Sequence, residues 1–133
     1  MKAMMLTAGL GTRLRPVTNF YAKPTVPFLG VPLAYFGRAI LEQAGATSFV
    51  MNTHHLPEQI NALADRMRVE GLKVETSHEA AAPLGSGGGI WKARKFLEGD
   101  GDFLVANGDE IILPHRPDVL REFVAAHSAK KAL

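Results

Sequence analysis

A short apolar segment near the amino terminus is followed by glycines, a hydroxyl and cations at close spacing. The apolar residues are Ala3 to Leu6, and the residues after them that could do chemistry are Gly9, Gly11, Thr12, Arg13, Arg15 and Lys23. Glycine lets backbone N–H groups approach a polyphosphate without an intervening Cβ, and cationic side chains neutralise its charge. The pattern predicts a phosphate-binding loop, although Arg15 is equally compatible with a role at the surface.

Two later segments carry related chemistry. Gly85 to Gly89 form a second glycine-rich segment, which could admit a ligand to the backbone or allow close packing of a helix. Asn107-Gly108-Asp109 follows an apolar segment, so the Asp109 carboxylate could hold Mg²⁺ against phosphate oxygens. The same composition also favours a turn by itself.

Strands and helices alternate along the whole chain. Apolar runs predict strands over residues 3–6, 48–51, 72–76 and 103–106, and helical spacing predicts helices over 33–44, 57–67, 90–97 and 119–124. A long loop is expected up to about Pro32 and another over 80–89, with Ser86 as the N-cap of the third helix. The alternation predicts a three-layer α/β fold, an αβα sandwich with a mostly parallel, Rossmann-like sheet. The phosphate-binding loop, the second glycine segment and Asp109 should meet at the carboxyl edge of that sheet.

Composition limits the classes of function. The 133 residues are 47% hydrophobic, which suits one domain with a packed core, and the formal charge of +2 is too small to argue for nucleic-acid binding. There is no cysteine, and the apolar run at the amino terminus is too short for a secretion signal or a membrane helix. We therefore expect a cytoplasmic protein without a membrane or nucleic-acid partner. Trp91, Met4 and Met5 are candidates for the core, and the histidines lack a zinc-binding spacing.

Two common phosphate motifs do not fit. No Lys-Ser or Lys-Thr pair follows either glycine segment, which argues against a P-loop. Leu14 stands where the dinucleotide fingerprint needs its third glycine, and the prolines that follow prevent an immediate helix, so a dinucleotide site is not expected.

A longer pattern does resemble a known family, the sugar-1-phosphate nucleotidylyltransferases. The resemblance lies in Leu6 to Pro16, Thr18, Lys23-Pro24, Pro27, Gly30 and Pro32-Leu33, in Glu79 with Pro83 to Ala93, and in Val105 to Asp109. The Gly-Gly-Gly-Ile and Asn-Gly-Asp variants look most like bacterial N-acetylmuramate-1-phosphate uridylyltransferases, followed by mannose-1-phosphate guanylyltransferases. The resemblance implies transfer of a nucleoside monophosphate from a nucleoside triphosphate, UTP or GTP, to a sugar-1-phosphate, with release of pyrophosphate.

The resemblance also implies roles for particular residues. Arg13 would hold the β- and γ-phosphates, Lys23 would reach the α-phosphate and the sugar phosphate, and Asp109 would bind Mg²⁺. Glu79 would accept hydrogen bonds from the base. The implied nucleotide-binding residues are Leu6, Ala8, Gly9, Gly11, Thr12, Arg13, Lys23, Glu79, Gly85, Ser86 and Gly87.

The family's catalytic domain is longer than 133 residues. Residues 1–133 are therefore expected to be the nucleotide-binding N-terminal half of a nucleotidyltransferase domain, ending near Lys130 where a further strand should begin. An apparently truncated sheet would expose an edge and apolar surface, so self-association or a partner that completes the sheet is expected. Two alternatives stay open: a catalytically incomplete nucleotide-binding module, regulatory or part of a split assembly, and a phosphocholine cytidylyltransferase.

Overall fold

A four-stranded sheet with helices on both faces forms the protein, in a computed structural model that describes residues 1–99 and 101–130. In chain order the elements are β1 (Lys2–Leu6), β2 (Pro27–Phe28), β3 (Val31–Pro32), α1 (Leu33–Gln43), β4 (Ser48–Thr53), α2 (Pro57–Val69), β5 (Lys73–His78), α3 (Gly85–Leu97), β6 (Phe103–Asn107) and α4 (Val119–Lys130). The end of the chain, where a further strand is expected, lies outside the described residues.

All strands of the central sheet are parallel, in the order β5-β4-β1-β6. Side chains of a strand alternate between the two faces of a sheet, and β1 follows this rule. Ala3 and Met5 pack into a core with α1 and α2, whereas Met4 packs with α3 on the opposite face. The prediction that Met4 and Met5 belong to the core is confirmed, since both are fully buried. The three-layer fold and the mostly parallel sheet are also confirmed.

Helix α3 covers one face of the sheet with a narrow stripe of small and apolar residues. Gly89, Ala93 and Leu97 lie four residues apart, and all three are buried. Trp91 lies off this stripe and is 69% exposed, with the Arg94 guanidinium 4.4 Å from its ring centre. The prediction of Trp91 as a core residue is therefore wrong, because the stripe that faces the sheet is too narrow to include it.

Two loop predictions need correction. The segment expected as a loop over 80–89 is helical from Gly85, and the residue before α3 is Leu84, so Ser86 lies inside the helix and is not its N-cap. The long loop up to Pro32 contains three 3-10 turns and the small antiparallel hairpin β2–β3. Backbone hydrogen bonds therefore form within this loop despite its prolines.

A surface network links α1 to the end of α2. The Glu70 carboxylate accepts hydrogen bonds from the Tyr35 hydroxyl at 2.7 Å and from Arg38, which also pairs with Glu42. The hydrogen bond from Tyr35, followed by that from Arg38, lowers the pKa of Glu70 below its ordinary value. Burial, together with the neighbouring Glu70, raises the pKa of Tyr35. The network links the two helices that pack against Lys23–Thr25 of the long loop after β1.

Strand β6 lies at one end of the strand order, so within the described residues one of its two edges has no neighbouring strand. Phe103 and Val105 on this strand are partly exposed, and Phe123 on α4 is more so. These side chains line a groove of about 240 Å³ between β6 and α4. In the described ranges, no helix is long and apolar enough to cross a membrane.

Candidate nucleotide-binding site

The carboxyl ends of β1, β4, β5 and β6 meet at a single cleft, as the topology of a parallel sheet requires. The cleft has a volume of about 200 Å³ and is lined by Leu6, Ala8, Gly9, Asn52, Glu79, Pro83, Gly85, Ser86, Asn107 and Asp109. A more open extension of about 450 Å³ continues from Gly9 and Asp109 and is lined also by Gly11, Thr12, Arg13, Leu14 and Lys23. The three sequence segments expected to converge therefore do so.

The segment after β1, residues 7–26, contains the predicted phosphate-binding residues and is called the phosphate loop below. Several backbone N–H groups in its first part have no acceptor within the described residues. Thr7 donates its N–H to Asn52, and the next backbone N–H that donates is that of Leu14, to the Gly11 carbonyl at 2.9 Å. Within the described residues, the N–H groups of residues 8–13 have no acceptor. Backbone donors without a protein partner are what a polyphosphate requires, because each can bind a phosphate oxygen.

Gly11 is required by the shape of the phosphate loop. Its φ is +61°, and a Cβ there would lie 2.7 Å from Cγ2 of Thr18 and 3.3 Å from Cβ of Lys23. Thr18 is buried, and its hydroxyl donates to the Gly11 carbonyl at 2.8 Å. Glycine at this position therefore lets the loop close against the segment that carries Lys23.

Lys23 and Asp109 form an ion pair across the open end of the cleft. They belong to opposite ends of the chain, one in the phosphate loop and the other just after β6, and both are partly exposed. Arg13 is exposed on the same extension. The side chains of the predicted phosphate-binding lysine and the predicted metal-binding aspartate are therefore in direct contact at one end of the cleft.

A buried polar cluster forms the floor of the cleft. Asn52, 4% exposed, accepts from the Thr7 N–H at 2.7 Å and donates to the Glu79 carboxylate at 2.8 Å, and the Thr7 hydroxyl donates to the Asn52 carbonyl. Glu79 is 1% exposed, and its second carboxylate oxygen accepts the Leu84 N–H at 2.7 Å, just before α3. The cluster therefore connects β1, β4, β5 and the start of α3.

The glycines at the start of α3 differ in what surrounds them, and a Cβ on Gly88 would lie 2.8 Å from Cβ of Leu84. A Cβ on Gly89 would lie 2.8 Å from Asn52 and 2.9 Å from Glu79, so this glycine permits the helix to pack on the polar cluster. A Cβ on Gly85 or Gly87 would meet no atom within 4 Å. The packing explanation thus accounts for Gly89 but not for Gly87, whose role in contacting a ligand stays a prediction. The first N–H groups of α3 also have no intrahelical acceptor, which favours an anionic or polar ligand there.

Gly87 gives a test in which stability and binding should change in opposite directions. Alanine is the better helix former by about 1 kcal/mol, so Gly87→Ala should raise the free energy of unfolding. If a nucleotide lies against this backbone, the added methyl group should weaken its affinity at least about tenfold, the equivalent of 1.4 kcal/mol. Denaturant unfolding and calorimetry with a nucleoside triphosphate measure the two effects. A more stable variant that binds with unchanged affinity would remove Gly87 from the site.

Most of the residues expected at a nucleotide site lie around the cleft or its extension. Gly87 does not line either one, although it follows Gly85 and Ser86, which do. Asn52 and Asn107 were not expected as site residues. Asn52 stands in an apolar strand, at its carboxyl end, and a polar side chain in that position is the signal that could have identified it.

Comparison with known proteins supports the same class. The sequence profile described as nucleotidyl transferase matches residues 2–133. A relative from Neisseria meningitidis, N-acetylmuramate alpha-1-phosphate uridylyltransferase, is 40% identical over 82% of this chain and 47% of its own length. A probable mannose-1-phosphate guanylyltransferase from rice is 40% identical over 84% of this chain and 31% of its own length.

The fold agrees with solved structures as well. A UDP-glucose pyrophosphorylase from Acinetobacter baumannii superposes with a TM-score of 0.82 at 20% identity, over 98% of this chain and 53% of the other. The parallel sheet, with helices on both faces and a cleft at its carboxyl edge, defines a three-layer α/β protein. The chain belongs to the nucleotidyl transferase family. It spans between about a third and about a half of the length of the curated relatives named above.

Proposed function

We propose that the protein transfers a nucleoside monophosphate from a nucleoside triphosphate to a sugar-1-phosphate. An oxygen of the sugar phosphate attacks the α-phosphorus, the bond between the α- and β-phosphates breaks, and pyrophosphate leaves in line. The observation that carries the proposal is the common position beside one cleft of Lys23, Arg13 and the N–H groups of residues 8–13, which have no acceptor in the part of the chain that the structure describes. Two polyanions must meet in this reaction, so positioning and charge neutralisation are the main catalytic tasks.

Each cation has a defined task in this proposal. Arg13, exposed on the open extension, would hold the β- and γ-phosphates and stabilise the leaving pyrophosphate. Lys23 would leave its ion pair with Asp109 to contact the α-phosphate and the incoming sugar phosphate. The backbone of Ala8, Gly9, Gly11 and Thr12 would donate to the triphosphate. The exchange of partners by Lys23 follows from its ion pair with Asp109, because a phosphate is the stronger competitor for an ammonium group than a single carboxylate.

Asp109 is the proposed ligand of Mg²⁺. Mg²⁺ is commonly held by one or two carboxylates together with substrate phosphates and water, so one carboxylate beside a phosphate loop is a suitable donor set. Within the described residues, no cluster of three or more acidic, histidine or cysteine side chains could hold a metal without such phosphates. We therefore expect metal binding to depend on the nucleotide. When bound, the ion would supply positive charge to the phosphates.

The base is proposed to lie between Glu79 and the start of α3, with UTP or GTP as the donor. Glu79 lines the cleft, and although each of its carboxylate oxygens already has an internal donor, each keeps capacity to accept another hydrogen bond. The two relatives described above are named for uridylyl and guanylyl transfer. Calorimetric titration with UTP, GTP and CTP would rank the bases, and a preference for CTP would contradict this assignment.

The direct test is pyrophosphate release by the purified chain. A mixture of Mg²⁺, one nucleotide and one sugar-1-phosphate should release pyrophosphate, and no release is expected when the sugar phosphate is omitted. Omission of the nucleotide serves as the second control. A chain that binds neither UTP nor GTP in the presence of Mg²⁺ would contradict the proposal.

The second candidate is a nucleotide-binding module that is catalytically incomplete. It is favoured by one observation, the span of between about a third and about a half of the length of the curated relatives. Nucleotide binding that depends on Mg²⁺ without turnover would select this candidate. Turnover by the purified chain would exclude it.

We further propose that the edge of β6 that has no neighbouring strand within residues 1–99 and 101–130 is covered in solution, by a second copy or by a polypeptide that completes the sheet. An unpaired strand edge beside exposed apolar residues favours strand addition, and Phe103, Val105 and Phe123 supply such residues. Sedimentation of the purified chain tests this proposal. A monodisperse monomer with no second chain present would contradict it. The cytoplasmic location remains a prediction that cell fractionation would test.

A further inference from the structure

The phosphate loop is held by side chains from outside it. Gln59 lies in the first turn of α2, and it contacts the segment just before Lys23. Its Oε1 accepts from the Ala22 N–H at 2.8 Å, and its Nε2 donates to the Phe20 carbonyl at 2.8 Å. Oε1 also lies 3.1 Å from the Thr25 hydroxyl, whose single proton it shares with the Ala22 carbonyl. A single amide thus uses both of its ends on the backbone of the loop.

Ala22 is held through both of its backbone polar groups. Ala22 is buried, and its carbonyl accepts from the backbone N–H and from the hydroxyl of Thr25, each at 2.8 Å. With its N–H held by Gln59, the residue directly before Lys23 has both backbone polar groups paired. The direction in which the Lys23 side chain leaves the loop is therefore set in part by a residue of α2.

A second residue near the start of α2, His55, holds the part of the phosphate loop that contains Gly11. His55, just before α2, hydrogen-bonds through Nε2 to the Thr18 carbonyl at 2.7 Å. The Thr18 hydroxyl in turn donates to the Gly11 carbonyl at 2.8 Å. Because a carbonyl only accepts, the Nε2 of His55 carries the proton in this contact. The start of α2 thus holds the loop at two points, one on each side of the exposed turn that follows Thr18.

We propose that Gln59 is a positioning residue for Lys23, which aligns the lysine for the α-phosphate without touching the substrate itself. The inference rests on the proposed function, since it assigns Lys23 to a phosphate. A long polar side chain at the start of a surface helix ordinarily points to solvent, but here all three polar contacts of the amide go to the loop. Without the amide, the buried Ala22 N–H would lose its acceptor, and the loop would have to open to water to satisfy it.

The experiment compares Gln59→Met with Gln59→Glu in the full chain. Methionine matches the length of glutamine but makes none of the three polar contacts, whereas glutamate keeps the acceptor for Ala22 and loses the donor for Phe20. The matched control is Asn61→Met, an exposed position of α2 that makes no side-chain hydrogen bond within the described residues. We expect exchange of the Ala22 amide to become at least about tenfold faster in Gln59→Met only, because that variant alone removes its acceptor.

Affinity for UTP and GTP with Mg²⁺ gives the functional readout. Gln59→Met should weaken binding of whichever nucleotide the unchanged chain binds by about tenfold, Gln59→Glu should restore part of the loss, and the control should bind normally. The same Gln59→Met change in a Lys23→Ala chain should alter affinity less than about twofold, because the residue acts through Lys23.

Three results would overturn the inference. Unchanged exchange of the Ala22 amide would show that Gln59 does not hold the loop. An equal loss of affinity with and without Lys23 would indicate a general structural effect. Normal affinity in Gln59→Met would remove its role in binding. If the unchanged chain bound no nucleotide, the proposed function itself would fail, and the Ala22 amide would still report whether Gln59 holds the loop.

Discussion

Replacement of Lys23 by alanine is expected to reduce nucleotide affinity by about tenfold to a hundredfold, because a charge-assisted contact to phosphate contributes about 1.5 to 3 kcal/mol. Pyrophosphate release should fall further, by at least about a hundredfold, if the lysine stabilises charge that develops in the transition state. The fold should change little, since a partly exposed ion pair contributes at most about 1 kcal/mol to stability. Calorimetry, a pyrophosphate assay and denaturant unfolding measure these three quantities.

The control is Lys73→Ala. Lys73 is an exposed lysine at the first residue of β5, at the amino edge of the sheet, so it removes the same charge far from the cleft. It should leave affinity nearly unchanged at physiological salt. Comparable losses in the two variants would mean that net charge, and not the position of Lys23, determines binding.

Asp109→Asn should distinguish the role of Asp109 in the ion pair with Lys23 from its proposed role as the metal ligand. Without Mg²⁺ the variant is expected to bind a triphosphate more tightly than the unchanged chain, because Lys23 is released and a negative charge is removed from the cleft. With Mg²⁺ the advantage should disappear, because the increase in affinity that the metal provides needs the carboxylate. A full Mg²⁺-dependent increase in the variant would show that Asp109 is not the metal ligand.

The position of the site could be predicted because it depends on topology. A loop that follows a parallel strand lies at the carboxyl edge of the sheet, whatever the details of its backbone, so Gly9, Gly85 and Asp109 were expected together. The ion pair between Lys23 and Asp109 depends on a different kind of information. The two residues are far apart in the sequence, and their contact follows from the path of the phosphate loop, which local patterns do not specify.

The errors have local physical causes. Trp91 is an aromatic residue within a helix, which favours a place in the core. It lies outside because the buried stripe of α3 has small residues where the helix approaches the sheet. The contacts of Gln59 and Asn52 could not be predicted from the sequence. Gln59 has the sequence context of an ordinary surface position, and Asn52 stands near the carboxyl end of an apolar strand. In each case the amide pairs with backbone groups of another segment, and the sequence does not show which segment that is.

Asn52→Asp, which replaces a single nitrogen by oxygen, should destabilise the fold strongly, because Asn52 lies in the buried polar cluster. In Asn52→Asp the acceptor for the Thr7 N–H remains, but an oxygen replaces the nitrogen that donates to Glu79 at 2.8 Å. Two carboxylates would then face each other in a site that is almost fully buried. At neutral pH we expect a loss of about 3 kcal/mol in the free energy of unfolding, the scale on which breaking a buried charged contact acts. Nucleotide affinity should fall with it, since Glu79 also holds the residue before α3.

The loss of stability in Asn52→Asp should become smaller as the pH falls. One proton shared by the two carboxylates restores a hydrogen bond, so the folded variant binds a proton more strongly than the unfolded chain does. Its stability relative to the unchanged chain must therefore rise as the pH falls, and the difference should shrink between pH values of about 7.5 and 5. Denaturant unfolding at both pH values measures this change, with Asn61→Asp on the exposed face of α2 as the control of equal charge. An equal loss at both values would mean that the two side chains are not in contact. If Asn52→Asp is as stable as the control at neutral pH, the polar cluster does not support the floor of the cleft.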